Sequence, residues 1–375
     1  MRTSKGSGNI PVAMYSLPLL RSPVGPDPAP VAVEVLAERD HAAWDAYVDA
    51  HPDAGCYHLR AWKVVAERAY GLRAPFLAAR RRPGGPLAGA LPLFFFGLPW
   101  ARSATTGLFG AYGSILADDA GTAEALVTHA RALSARERAR SLVVKGVGDL
   151  PGDAAQGALR ADSSVFATLP LERDPERLWL GFRDKTRNAI RKAQRAGLEL
   201  RVGAAWLPDF YDVLAENMHR KGTPIYGLPF LRELALALGD RAEVFTLWKD
   251  GTAVSGALAV RFRGVTCVPF ASSRPSAFKH NPNNLLYWEM IRAACLRGDH
   301  LFDFGRSPRD STTLAFKLGW GAVVQPQPMH VFHLRGPMPV LASTPSVEKL
   351  AALWARLPRR LADLLGPAIC GRFLT

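Results

Sequence analysis

The run FRDKTRNAIRKAQRAG, Phe182 to Gly197, places Arg183, Arg187, Arg191 and Arg195 at four-residue intervals, with Lys185 and Lys192 beside them. On a helix this spacing makes a slowly drifting stripe of like charge. Each such pair at i,i+4 costs about 0.2–0.5 kcal/mol, which a solvated face tolerates. Phosphate would neutralise the stripe, and arginine is its bidentate ligand. Arg187 and Arg191 are the candidate anion contacts; a merely solvated basic face is the other reading.

A second segment, Asn283 to Gly321, carries Asp303, Arg306 and Lys317 beside apolar runs. Lys317 sits in LAFKLGWG, just before Gly319. A cation there suits a helix C-terminus. It could equally stabilise the oxyanion that develops during acyl transfer. Asp303 and Arg306 follow the apolar Leu301-Phe302 at a strand end, where Asp303 could orient an amine or take its proton. The two could instead pair as a structural bridge. Tyr226, in the loop GTPIYGLP, is a candidate substrate contact or a packed ring. Asn284, Tyr287 and Trp288 open the next helix, whose free N–H groups can receive phosphate. This is equipment for gripping a phosphorylated substrate and transferring a group.

Other chemistries lack their signatures. There is no G-x-S-x-G elbow, no P-loop, no G-x-G-x-x-G after a strand and no H-E-x-x-H. The histidines have no ligand-like spacing, so no metal is expected. The four cysteines, Cys56, Cys267, Cys295 and Cys370, are far apart and read as thiols of a reducing compartment. A formal charge of +14 points to an anionic partner, or simply to solubility. No run of about 18 apolar residues occurs, so no spanning helix is expected. Residues 1–30, rich in Pro, Gly and Ser, read as a disordered lead without a signal peptide.

The elements that must hold these residues come in two rounds. In the first, a strand at Val31–Leu36 precedes helices at His41–Ala50 and Leu59–Tyr70. A hairpin of Pro75–Arg82 and Leu87–Phe96 turns at RRPGGP. A strand between Ala104 and Ile115, a helix at Gly121–Arg138, and strands at Leu142–Gly146 and Ser164–Leu169 follow. The second round has a helix at Leu178–Arg195 stopped by Gly197, a strand at Glu199–Val202 and a helix at Pro208–Arg220. Its hairpin, Glu243–Trp248 with Ala253–Phe262, turns at Lys249-Asp250-Gly251. Strand Val265–Ser272, helix Asn284–Leu296, strand Leu301–Phe304, helix Thr312–Leu318 and strand Met329–Leu334 complete it. The expected fold is α/β with mixed sheets, as a tandem of two units: residues 31–170, and 171–340 with the main site. Residues 341–375 form a basic helical tail interrupted at Pro358. Its apolar face either packs on the body or contacts a membrane surface.

KTRNAIRKAQRAGLEL, NNLLYWEMI, LFDFGRSPRDSTTLAFKLGWG and LPRRLADLLGP, in that order, resemble the FemAB-like branch of the GNAT acetyltransferase superfamily. The resemblance is closest to the FemAB-related proteins of exosortase (PEP-CTERM) and exopolysaccharide systems. CYHLRAWKVVAERAYG and LAGALPLFFF in the front half are similar to that group too. The resemblance implies two GNAT-like acyltransferase domains that move an activated acyl or aminoacyl group onto an amine. The acceptor would be a phosphorylated or lipid-linked glycan or cell-envelope precursor. It implies acyl-CoA or aminoacyl-tRNA as co-substrate, with no permanently bound cofactor, and Lys317 near the reaction centre with Arg187 on the basic helix. No helical arm of the tRNA-dependent members lies between Arg195 and Pro208, and SRPSAFKHNPNN stands where acetyl-CoA enzymes have a Gly-rich pyrophosphate loop. A cytoplasmic location is expected, with the tail a candidate for peripheral contact with an anionic inner membrane face. The alternatives are an aminoacyl-tRNA-dependent ligase for a peptide or natural product, and a non-catalytic membrane-surface or polysaccharide-assembly partner.

Overall fold

The computed structural model describes residues 30–109, 112–146, 148–336 and 345–373. The lead expected over residues 1–30 therefore lies outside the described residues, apart from Pro30. The first half of the chain runs β1 (Ala32–Val35), α1 (His41–Ala50), α2 (Ala61–Tyr70), β2 (Leu77–Arg80), β3 (Leu87–Leu91), β4 (Phe94–Phe96), β5 (Ser103–Thr105), β6 (Leu116–Ala117), α3 (Ala120–Arg136), β7 (Ser141–Lys145) and β8 (Ala158–Pro170). The second half runs α4 (Pro175–Gly181), α5 (Asp184–Arg195), β9 (Glu199–Val202), α6 (Leu207–Arg220), α7 (Leu228–Leu238), β10 (Ala242–Lys249), β11 (Thr252–Phe262), β12 (Val265–Ser273), α8 (Pro282–Arg297), β13 (Leu301–Pro308), α9 (Thr312–Leu318) and β14 (Val323–His333). Two tail helices follow, α10 (Pro345–Trp354) and α11 (Arg359–Phe373).

Two sheets result. One has the order β1-β2-β3-β6; the other has ten strands, β4-β5-β7-β14-β8-β13-β12-β11-β10-β9. Each half contributes one parallel pair to the large sheet, β5 with β7 and β12 with β13. The halves are joined by an exchange of strand ends. The later part of β8, Ser164 to Pro170, lies between β13 and β14. The later part of β14, Met329 to His333, lies between β7 and the start of β8. The large sheet is thus one hydrogen-bonded surface built by both halves.

The residues explain most of the elements. Asp250 and Gly251 have φ of 49° and 76°, the two left-handed positions of a tight hairpin turn between β10 and β11. Gly197, at φ 69°, ends α5. β11 is buried along nearly its whole length because helices cover both faces of the sheet. On one face Leu258 and Val260 join Phe210, Phe230 and Phe270 in a core shared with the first half. On the other, Ala257 and Ala259 pack with Ile190, Leu286 and Trp288.

Three expected elements come out differently. The helix read over Leu178–Arg195 is two helices. Phe182 turns extended between them (ψ 147°) and buries its ring against Trp288 and Trp320. The strand read over Leu87–Phe96 is β3 and β4, which belong to different sheets. Pro92 lies between them, without an N–H for the ladder. The strand expected between Ala104 and Ile115 is confined among described residues to β5, with β6 following it; Gly110 and Ala111 lie outside the description. α7, with Pro229 in its first turn, has no counterpart among the elements read from the sequence. α10 and α11 are separate helices on either side of Pro358, as the proline implies.

Candidate functional site

Strands β12 and β13 pair over only three residues, Val265–Cys267 with Leu301–Asp303. Beyond them β13 bulges: its register against β8 shifts between Asp303 and Arg306, and Gly305 sits at φ 76°. Past Cys267 and Asp303 the two strands no longer pair with each other, and this parting of the ladder is the slot between them. An extended ligand could enter it as an added strand would.

Buried charge fixes the bulge. Asp303 is buried, accepts the Tyr112 hydroxyl on Oδ2, and accepts the Gly305 N–H on Oδ1 at 2.8 Å. Lys317, buried on α9, donates from Nζ to the carbonyl oxygens of Gly305 at 2.8 Å and Arg306 at 3.0 Å. One anion and one cation thus hold the same two-residue bulge from within. Burial pushes the Asp303 carboxyl above its ordinary value, while Tyr112, Gly305 and Lys317 pull the other way. Burial also brings Lys317 down to about 8, with Arg306 adding to the effect and Asp303 opposing it.

On one side this region borders the core shared by the two halves, which includes Tyr112 and has Tyr226 packed against it. Arg306 is exposed, and its charge acts on Tyr226, Lys145 and Lys317. The Tyr226 ring packs edge-on to Phe109 at 5.3 Å and Phe270 at 5.7 Å. Lys145, at the end of β7, is buried and donates to the Gly107 carbonyl at 2.8 Å. Its burial lowers it to about 7.

Four of the residues singled out in the sequence are therefore neighbours: Asp303, Lys317, Arg306 and Tyr226. The bridge between Asp303 and Arg306 is not formed, since the Asp303 oxygens are taken by Tyr112 and Gly305. The other four are on α5 and α8, on the other face of the sheet, where Tyr287 reaches the bulge through Phe304. Arg187 and Arg191 are on α5, whose Ile190 and Ala193 join the core on the opposite face of the sheet from Tyr226. Arg187 donates to the Leu180 carbonyl at 3.1 Å and pairs with Asp184, bracing the break between α4 and α5. Arg191 lies 5.5 Å over the Trp179 ring. Tyr287 stacks on Phe304 at 5.4 Å on this same face, and Asn284 is in the first turn of α8. The expectation that Arg187, Arg191 and Tyr226 hold one acceptor together is corrected: a β-sheet lies between them.

α8 begins nine residues after the end of β12, following the short helical turn Pro275–His280. Asn281 at its N-cap makes no side-chain cap, and Pro282 occupies the first turn. Arg274, at the end of β12, is engaged with Asp212 and Glu216 on α6. Lys279 is exposed nearby in sequence.

Two residues of the site escape a reading of the sequence. Tyr112 meets its partner 191 residues away, so nothing local marks it. Lys145 does have a signal, a lone charge closing the apolar run Leu142–Val144, the same pattern that draws attention to Lys317.

These features define a tandem GNAT fold with its parallel-strand slot in the second half. Residues 181–317, ending on Lys317 itself, match the family described as an acetyltransferase (GNAT) domain. No curated protein matches the chain. Among solved structures it is similar to a crystal structure of FemX, with 17% identity and a TM-score of 0.62 over 80% of this chain and 96% of that one. A tandem GNAT protein from the clavulanic acid biosynthesis pathway gives 18% identity and a TM-score of 0.55, covering 83% of this chain and 100% of that one. The C-terminal domain of a putative lysylphosphatidylglycerol synthetase from Agrobacterium fabrum gives 13% and 0.53, covering 88% and 96%. At such identities the likeness is one of fold.

Proposed function

We propose that the protein is an N-acyltransferase acting on an amine of a phosphorylated or lipid-linked cell-envelope or exopolysaccharide precursor. The observation that carries this reading is the slot between β12 and β13, which opens where the Asp303–Lys317 clamp holds the Gly305 bulge. The donor chain would extend along the slot with its phosphates toward the uncapped start of α8. The acceptor would enter from the Tyr226 and Arg306 side. Its amine nitrogen attacks the acyl carbonyl carbon, and the C–S bond of a thioester or the C–O bond of an ester breaks. The nitrogen's proton leaves with the freed thiol or hydroxyl. The Lys317 cation favours the tetrahedral oxyanion electrostatically, and Arg306 with Tyr226 holds the acceptor's anionic group. Holding the two reactants in line contributes up to about 7–11 kcal/mol in favourable cases. Similarity to the domain of a putative lysylphosphatidylglycerol synthetase, named for a membrane lipid, supports envelope chemistry as the setting.

Acyl-CoA is the donor favoured by the acetyltransferase match. Aminoacyl-tRNA is a second reading, supported by Arg183, Lys185, Arg191, Lys192 and Arg195, all exposed along α5. Thermal shift against acyl-CoA esters, charged tRNA and UDP-sugars tests both. A ligand at a hundred times its dissociation constant adds about 2.7 kcal/mol of apparent stability. Acyl-CoA should give that response with little dependence on salt. A response to tRNA that collapses as salt rises would select the second reading. Silence from every class would sink the proposal.

A further inference from the structure

Helix α11 packs on the body the wrong way round for an ordinary amphipathic helix. Its inward face is made of small residues: Ala362, Gly366 and Cys370 are buried. Gly366 lies against the Ile225 backbone, where a Cβ would be crowded, and Gly371 against the Tyr70 ring, where one would collide. Its outward face carries Leu361, Leu364 and Leu365, with Leu364 72% exposed. A helix whose leucines point to water has an apolar stripe left over after folding.

Basic residues frame that stripe. Arg360 and Arg372 are exposed on α11, whereas Arg359 is turned inward to Asp212 and Asp363. α10 repeats the arrangement, with Leu350 and Leu353 exposed and Lys349 and Arg356 exposed beside them. Trp100, 67% exposed, stands on the loop that forms a groove with Pro367, Ala368, Gly371 and Arg372 of α11. Leucines framed by Lys and Arg, with a tryptophan at the margin, match the boundary between lipid headgroups and acyl chains. A second copy of this chain fits less well, because it would bring like-charged arginines together in a protein whose formal charge is already +14.

We propose that α10 and α11 dock the protein peripherally on an anionic lipid bilayer, with the leucines entering the interface and the basic residues meeting phosphate headgroups. This does not depend on the acyl-transfer reading. Flotation of the full chain with vesicles of phosphatidylcholine and phosphatidylglycerol in equal parts tests it, against vesicles of phosphatidylcholine alone. The protein should float with the anionic vesicles only, and added salt should release it. L361S/L364S/L365S should lose binding by roughly tenfold or more while keeping its melting temperature, since these side chains lie outside the core. R356Q/R360Q/R372Q should lose the preference for anionic lipid. The proposal falls if the wild-type chain stays with neither vesicle, or if both variants float as it does. It also falls if sedimentation shows a wild-type dimer that the leucine variant converts to monomer, which would make the stripe a contact between copies.

Discussion

The Tyr112 hydroxyl donates to the Asp303 carboxylate in the buried core, tying a residue of the first half to the bulged strand of the second. The Tyr112 ring also packs tilted against Phe166 and Tyr57, with ring centroids 3.7 Å and 4.4 Å away. Asp303 in turn bonds the Gly305 N–H, so the first half sets the shape of the second half's slot. Tyr112→Phe keeps the ring and removes the donor. Leaving a buried carboxylate oxygen unpaired costs about 1–3 kcal/mol, read as a lower midpoint in urea. The Asp303 carboxyl should rise further, because the Tyr112 bond is among the forces holding it down. An unchanged midpoint would show that the bond contributes nothing.

Lys317→Met replaces the ammonium with an apolar chain of similar length. It leaves the Gly305 and Arg306 carbonyl oxygens without their cation. Stability should fall by about 1–3 kcal/mol. If the cation also favours the oxyanion, kcat should drop by roughly a hundredfold with KM little changed. Loss of stability with kcat intact would confine Lys317 to holding the bulge.

Burial brings Lys145 down to about 7 in the folded chain, while an unfolded lysine keeps its ordinary higher value of 10.5. Between those values the unfolded chain binds a proton that the folded chain does not. Stability from this group is therefore complete above the upper value and is lost as pH falls through the lower one. The wild-type chain should gain on Lys145→Met as pH rises from 7 to 10, by up to ~1.4 kcal/mol per pH unit. Denaturation midpoints of both proteins at several pH values check this. A difference that stays flat would contradict burial as the cause.

What a sequence can mark is local. The turn at Asp250-Gly251 and the stop at Gly197 depend on backbone conformations that few residues favour, so both are visible from residue type. The break at Phe182 is not, because its cause is the aromatic cluster of Trp288 and Trp320, far along the chain. The exchange of strand ends between β8 and β14 is likewise set by distant pairing, which is why only parts of these strands can be read. The same limit applies to the site. Lys317 and Asp303 announce themselves as lone charges in apolar runs. That Arg187 and Tyr226 fall on opposite faces of a sheet is a fact of topology, and helical spacing carries no trace of it.

That separation gives a direct comparison. Arg306→Gln removes the exposed cation beside Tyr226, and should raise KM for an anionic acceptor by about tenfold, the scale of one charge-assisted contact. Arg191→Gln changes a cation that stacks on Trp179 across the sheet, and should leave that KM alone. Equal effects of the two would place the acceptor on the α5 face instead.

The slot itself can be probed at Gly305. Its φ of 76° lies where an L side chain meets its own backbone, and Gly305→Ala costs about 1–2 kcal/mol there. An added Cβ would stand 3.5 Å from the Val268 carbonyl, ordinary contact, so crowding is not the source of any loss. The strain would instead relax by turning the two peptides that flank the Gly305 Cα, one whose N–H meets Asp303 and one whose carbonyl meets Lys317. The slot should then lose its donor: the thermal shift with acyl-CoA esters should shrink at least tenfold in apparent affinity. KM for the acceptor should stay near its wild-type value, because neither the Arg306 side chain nor Tyr226 takes part in the clamp on Gly305. An alanine variant that keeps both the donor shift and the turnover would show that the bulge does not shape the donor site.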